Sequence, residues 1–542
     1  MPSPKRLPVE FPYPHFMAFA PLDAWARLLL RPLALPGPRY WPRLAFALFT
    51  STIGTLLTLP ERAILFPLLA LARARSKARI DHRPGVVVIL GYARSGTTHL
   101  HYLLSCDRQF LTPRWAQCLA PQGFALSWTF LRLFLVPFMS NKRLMDDMAF
   151  GPEWPAEDEF AVNNWCAASG IPGRLVLPRL HAHYRRFHFL RGLSGAEHRR
   201  WRAHEWAFLK KLTWLARGRR LLLKSPSHTA RVGELAELFA PAEAGEGPKF
   251  IHISRPPDAV VRSNVSMLTR ARVYHLQPGP EPAQIEESIT AELAETSGAY
   301  GEQARRLPPG SLVEMRYQDL IADPIGELKR TYRELGLRWS DDFEARLVRY
   351  LHSVKAYRAA HGGEQRLAGS GPLDPRLAPL VAEYGHDRPV RAKAELPPLP
   401  ASARARGPRT VLAGAVLTVL AVLLGGAWVA LASLVGDRMD TFVWAVGVAL
   451  GLTGMAVSRV GSARLGMWAA GLTLGVMLGV AAPNTRVVNY GHKPWAHIHV
   501  RDELVPTTVN QLTTGMTLFW GLMGCLSAYR IASRRQLHPD KS

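Results

Sequence analysis

Gly91-Tyr-Ala-Arg-Ser-Gly-Thr-Thr98 gathers the residue types that can hold a strong anion: two glycines, an arginine, a serine and two threonines. The apolar run Val86-Val-Val-Ile-Leu90 comes before it and the periodic stretch Leu100 to Leu104 follows, so the order predicts a strand, a glycine loop and a helix start. Backbone N–H groups left unpaired at such a start, reinforced by the helix dipole, make an anion site. Gly96 lets the backbone approach a phosphate, and the hydroxyls of Thr97 and Thr98 can donate to its oxygens. The phosphate loop of an ATPase or kinase carries a lysine after its second glycine. Here Thr97 holds that position and Arg94 supplies the cation, which argues against nucleoside triphosphate chemistry.

Arg-Ser-Gly-Thr-Thr behind a hydrophobic strand resembles the 5′-phosphosulfate loop of the PAPS-dependent sulfotransferase superfamily, whose donor is 3′-phosphoadenosine 5′-phosphosulfate (PAPS). The resemblance implies that Arg94, Ser95, Gly96, Thr97 and Thr98 bind the phosphosulfate end. Ile253-Ser-Arg255-Pro256, with Ser263 eight residues after the arginine, is similar to the family's 3′-phosphate motif. That implies a charge-assisted fork from Arg255 and a hydroxyl contact from Ser263. Leu223-Lys-Ser-Pro-Ser-His228 resembles the Lys-Ser-Pro-x-His segment of a large bacterial branch. By that resemblance Lys224 neutralises charge on the sulfate or bridging oxygen, and His228 takes the proton of an acceptor hydroxyl. An acidic segment of the same branch is echoed in Phe150-Gly-Pro-Glu-Trp-Pro-Ala-Glu157-Asp-Glu159, where Glu157 and Glu159 are competing bases that a cationic pocket would keep ionised. Arg316-Tyr317-Gln-Asp-Leu320 is similar to the family's Tyr-Glu-Asp-Leu segment, with Gln318 in place of the acid, and takes a structural role. The Arg-Lys-Gly loop of the cytosolic branch has no counterpart. The resemblance implies transfer of a sulfuryl group from PAPS to a hydroxyl, with release of adenosine 3′,5′-bisphosphate and no metal ion. His181, His183, His188, His497 and His499 lack the partners a metal site needs. Two other readings stay open: a nucleotide-binding membrane scaffold without transfer activity, and a P-loop-type phosphotransferase.

A frame for these residues is legible between residues 81 and 395. The β-rich runs Val86 to Leu90, Leu221 to Leu223, Lys249 to Ser254 and Ser311 to Tyr317 alternate with amphipathic stretches. This pattern predicts an α/β domain, a P-loop-like parallel sheet flanked by helices. Ahead of it, residues 1–80 carry two apolar stretches, Leu44 to Leu59 and Ala63 to Leu71, separated by Pro60-Glu-Arg62. Each is short for a span, and the cations Arg73, Arg75, Lys77 and Arg79 follow, so two membrane-interfacial helices are expected. A basic, proline-rich linker at 396–408 leads to residues 409–542, where Val411 to Val435, Phe442 to Val457, Leu465 to Ala482 and Leu512 to Tyr529 predict an α-helical membrane domain of four spans.

Of the 542 residues, 48% are hydrophobic and 20% charged, and the net charge is +25, which calls for anionic partners. The sequence shows no zinc-finger spacing, basic zipper or aromatic RNA-binding signature, so nucleic acid is set aside in favour of PAPS and a lipid surface. The four scattered cysteines suit a reducing compartment, and the first residues lack a secretion signal and are expected to stay inside the cell. Arg404, Arg406, Arg409, Arg459, Arg464, Arg530, Arg534 and Arg535 all fall on one side of the four spans. The expected location is therefore a bacterial inner membrane with the catalytic domain in the cytoplasm, where a membrane lipid or glycolipid is the attractive acceptor.

Overall fold

The computed structural model describes residues 15–76, 80, 85–127, 148, 150–215, 218–240, 246–354, 373–399, 410–435, 440, 442–458, 463–490, 508, 512 and 515–532. Most of the linker and the orienting cations at 404, 406, 409, 459, 534 and 535 lie outside the described residues. The chain divides into two compact units, one holding most of residues 1–400 and the other most of residues 401–537.

The first unit opens with α1 (Leu22–Leu29) and α2 (Trp41–Arg75). Two short helices were expected here, yet α2 is continuous over 35 residues with Pro60 and Pro67 inside it. The break predicted at Pro60-Glu-Arg62 is absent because Glu61 turns into the protein, where it accepts from the backbone N–H groups of Ala125, Leu126 and Ser127 at 2.7–2.9 Å. It also pairs with Lys211 at 3.2 Å. A carboxylate so held pins the helix across the proline.

Five strands follow: β1 (Val86–Leu90), β2 (Phe110–Leu111), β3 (Arg220–Lys224), β4 (Lys249–Ser254) and β5 (Leu312–Arg316). All pair in parallel in the order β2-β3-β1-β4-β5. The central β1 is buried along its whole length, as an all-apolar run between two neighbours requires. The helices that matter for the site are α3 (Thr97–Leu104) after β1, α4 (Asp158–Cys166), α5 (Gly195–Leu215), α6 (Pro257–Ala271) after β4 and α7 (Pro282–Ala304). Parallel strands deliver every loop that follows them to one edge, so residues 91–98, 224–228, 255–263 and 317 converge there.

The second unit holds α8 (Thr410–Val435), α9 (Phe442–Ser458), α10 (Ala463–Tyr490) and α11 (Gly515–Ala532). Their mutual contacts mix small and large apolar residues: Ala413, Ala421, Ala469, Ala528 and Ala532 lie in one buried cluster with Leu417, Val446, Leu450 and Leu465, and Gly447 meets the Gly524 backbone. Large apolar side chains such as Val422, Leu423 and Leu522 face outward. By length and hydropathy, three stretches among the described residues could cross a membrane: Pro38–Arg75, Val411–Ala432 and Arg464–Ala481, while Phe442–Gly454 is shorter.

Candidate active site

The glycine loop turns as its sequence requires. Gly91 and Gly96 have φ of 142° and 101°, and a Cβ at Gly96 would run into the Tyr317 ring, so the backbone there packs flat against an aromatic face. Arg94 is also left-handed, at φ 72°, an uncommon conformation for a non-glycine residue. In that pose its Nε donates to Ser263 Oγ at 3.0 Å. Arg255 Nη1 donates to the Arg94 carbonyl at 3.2 Å, and its guanidinium sits 5.3 Å from the Tyr317 ring centre. The two predicted anion motifs therefore form one continuous surface. Burial, together with neighbouring Arg94 and Arg262, pulls the Arg255 pKa below its usual value despite Tyr317 and Asp258. Loss of water is the largest cause, and the nearby cations add to it.

On the other side of the loop, Lys224 at the end of β3 donates to Thr98 Oγ1 at 3.3 Å and forms an ion pair with Glu157. The loop is braced from behind: Gly91 N–H donates to Thr229 Oγ1 at 2.7 Å, and Tyr92 donates to Glu292 of α7 at 3.0 Å. Ser95 and Thr97 are buried, and the Ser95 hydroxyl donates to the Tyr92 carbonyl. Ser95 thus shapes the turn with its side chain, leaving Thr98 as the loop hydroxyl seen at Lys224.

Behind this open layer is a sealed one. His228 is 0% exposed, and its Nε2 lies 2.6 Å from Asp158 Oδ2, while Ser225 donates to Asp158 Oδ1 at 3.1 Å. His228 Nδ1 has no hydrogen-bond partner among the described residues. Glu159 is gripped by both ends of the buried Arg231 guanidinium at 2.6 and 3.2 Å, and it accepts from Ser227 at 2.8 Å. Burial opposes ionisation of Asp158, but His228 and the hydrogen bonds outweigh it and bring the pKa to about 2. The same contest, decided by Arg231, lowers Glu159. On Glu205 of α5 burial wins, aided by Asp158 and Glu159, and its pKa rises well above the carboxylate range.

The candidate residues of the glycine loop, Glu157, Glu159, Lys224, His228, Arg255 and Ser263 lie around this strand edge, and the structure separates them by depth, while His497 and His499 lie outside the described residues. Glu157 and Lys224 meet at the loop, whereas Glu159 and His228 lie in the sealed layer. Sequence reasoning missed Asp158, Arg231, Glu205 and the packing role of Tyr317. Asp158 was hidden between two likelier-looking carboxylates, and Arg231 follows the Lys-Ser-Pro segment with nothing in its spacing to mark it.

Residues 84–341 match the Sulfotransferase family. The α/β region within residues 84–341 belongs to that family. It is 28% identical over 389 residues to omega-hydroxy-beta-dihydromenaquinone-9 sulfotransferase Stf3 of Mycobacterium tuberculosis and of Mycobacterium bovis, a match covering 69% of this chain and 92% of theirs. Among solved structures, sulfotransferase STF9 of Mycobacterium avium aligns with TM-score 0.45 and 18% identity over 70% of this chain and 98% of its own. Sulfotransferase STF1 of Mycobacterium tuberculosis aligns with TM-score 0.38 and 18% identity, covering 60% of this chain and 87% of its own. With the sulfotransferase match, the P-loop phosphotransferase reading falls away.

Proposed function

We propose that this sulfotransferase uses PAPS as donor and a hydroxyl of a membrane lipid as acceptor. The observation that carries the reading is the joining of Arg94, Ser263 and Arg255 into one surface beside the Lys224–Glu157 pair. A donor with a phosphosulfate at one end and a 3′-phosphate nearby suits that surface, because three cations and a bare glycine backbone border it. Bound there, PAPS supplies the sulfuryl group and leaves as adenosine 3′,5′-bisphosphate.

Arg255 and Ser263 hold the 3′-phosphate. Arg94, Lys224, Thr98 and the first N–H groups of α3 stabilise charge that grows on the sulfuryl oxygens and departing phosphate, a preorganised arrangement that favours the transition state over the ground state. Glu157 takes the acceptor proton on its carboxylate: it is the carboxylate that touches Lys224, and it is partly exposed, with 17% of its side chain accessible. A second assignment rests on His228, whose Nδ1 is a free acceptor while Asp158 holds its Nε2, the pairing that orients a general base. Its complete enclosure favours Glu157.

The lipid acceptor follows from two supports. The relatives act on omega-hydroxy-beta-dihydromenaquinone-9, and the apolar helices of the second unit suit a four-span membrane domain that keeps the catalytic unit at the cytoplasmic face. The deciding experiment is incubation of radiolabelled PAPS with membranes lacking and regaining this protein. A labelled lipid that appears only with the protein is expected; tight nucleotide binding without label transfer would instead leave a scaffold. Single-turnover comparison of Glu157→Gln with His228→Ala identifies the base as the variant that loses the chemical step.

A further inference from the structure

The long helix α2 has its polarity reversed. The face turned to the protein carries Thr50, Ser51, Gly54, Thr58 and Glu61. Ser51 Oγ accepts from Trp25 Nε1 at 2.8 Å and donates to the Met17 carbonyl at 3.1 Å. Every charge along this stretch is turned inward to a protein partner: Arg43 donates to the His275 carbonyl at 2.7 Å, Glu61 pairs with Lys211, and Arg62 lies 3.8 Å from Asp23. The outward face carries Phe49, Leu56, Leu59, Ile64, Phe66 and Leu71, each between 49% and 68% exposed. Among exposed positions from Trp41 to Ala74 the single polar residue is Thr52, and its hydroxyl donates back to the Leu48 carbonyl at 2.9 Å. Cations resume at Arg73 and Arg75.

A water-facing helix buries its apolar stripe and exposes its charges. This one does the opposite, so its outer medium is one that offers no hydrogen bonds, and a patch of this extent marks an interaction surface. The protein contacts run from Arg43 to Glu61, roughly 27 Å of helix at 1.5 Å per residue. A helix flanked over that length by a hydrogen-bonded α/β unit cannot stand across a bilayer without dragging that unit into hydrocarbon. The length and hydropathy of Pro38–Arg75 would permit a span; the inward partners rule for a different pose.

We infer that α2 lies in the plane of the membrane with its outer face sunk in one lipid leaflet, an anchor separate from the C-terminal helices that seats the catalytic unit directly on the bilayer. The occupant is lipid, because the basic end at Arg73 and Arg75 suits anionic headgroups and the apolar face suits acyl chains. The inference stands on geometry and is independent of the transfer reaction.

The test uses the full chain with Cys525→Ser, leaving the three buried cysteines in place, and single substitutions Phe49→Cys, Leu56→Cys, Leu59→Cys and Phe66→Cys at outward positions. Each is spin-labelled and reconstituted in vesicles of phosphatidylethanolamine and phosphatidylglycerol, and collisions with oxygen and with a nickel chelate are measured. The expected result is preferential oxygen access at all four sites at one shared depth, roughly 5–10 Å below the headgroup boundary. A depth that rises to a mid-membrane maximum and falls again would mean a span. Dominant nickel access would mean water, and protection from both reagents would mean a covering of protein; any of these three overturns the inference.

Discussion

The open half of the site around Lys224 and the sealed half around Arg231 draw on the same three consecutive carboxylates, and they use them in opposite ways. Glu157 reaches a lysine at the mouth of the loop, where a ligand's charge can replace it as partner. Asp158 and Glu159 begin α4, and the turn of the helix swings them into places where each partner is irreplaceable. Losing Glu157, which keeps 17% of its side chain accessible, should cost rate first and stability second, because the Lys224 left behind is itself buried. In the sealed half the abandoned partner stays dry, so the cost appears as stability.

The contrast breaks most readily at Glu157. Glu157→Gln should lower single-turnover transfer about 10²–10⁴-fold while lowering the melting temperature less than a substitution in the sealed half does; equal loss of stability would erase the distinction between the halves. Next, Arg231→Ala should destabilise the catalytic unit by about 3–5 kcal/mol, read from thermal or denaturant unfolding in detergent. A wild-type melting curve would show that Glu159 is not held as an uncompensated buried charge.

The remaining two effects are smaller and depend on pH. Asp158 has its pKa lowered from 3.8 to about 2, so its contribution to stability is complete above the unfolded value and is lost as pH falls through about 2. Asp158→Asn should therefore flatten the acid limb of the stability profile. Glu205 has the opposite sign: as pH rises past the ordinary carboxyl range, the unfolded chain ionises it more readily than the folded one, and the fold loses stability. Glu205→Gln removes that loss. Its melting temperature should exceed that of the wild type by a margin that widens from acid to neutral pH, and a margin independent of pH would contradict the raised pKa.

Much of the catalytic frame was legible in the residues. Val86–Leu90 and Lys249–Ser254 are strands over the span read from their apolar runs, because a strand buried on both faces leaves an uninterrupted signature. Phe110–Leu111 went unseen, since two residues carry no period. Pro60 suggested a helix break that a buried Glu61 overrides, a tertiary contact no local pattern contains. The glycines at 91 and 96 announced a turn through their spacing, and both adopt positive φ. The depth at which Glu157, Glu159 and His228 come to rest was not announced in this way, because it depends on Arg231 and Asp158, partners set by the packing of α4 against the segment after β3.

Arg94 reaches Ser263 across 169 residues of chain, and Gly96 rests on a ring contributed by Tyr317. A nascent polypeptide that has emerged only as far as β3 thus carries the glycine loop without the walls that shape it. The walls of the loop are therefore complete only once β5 and Tyr317 have been synthesised and packed against it.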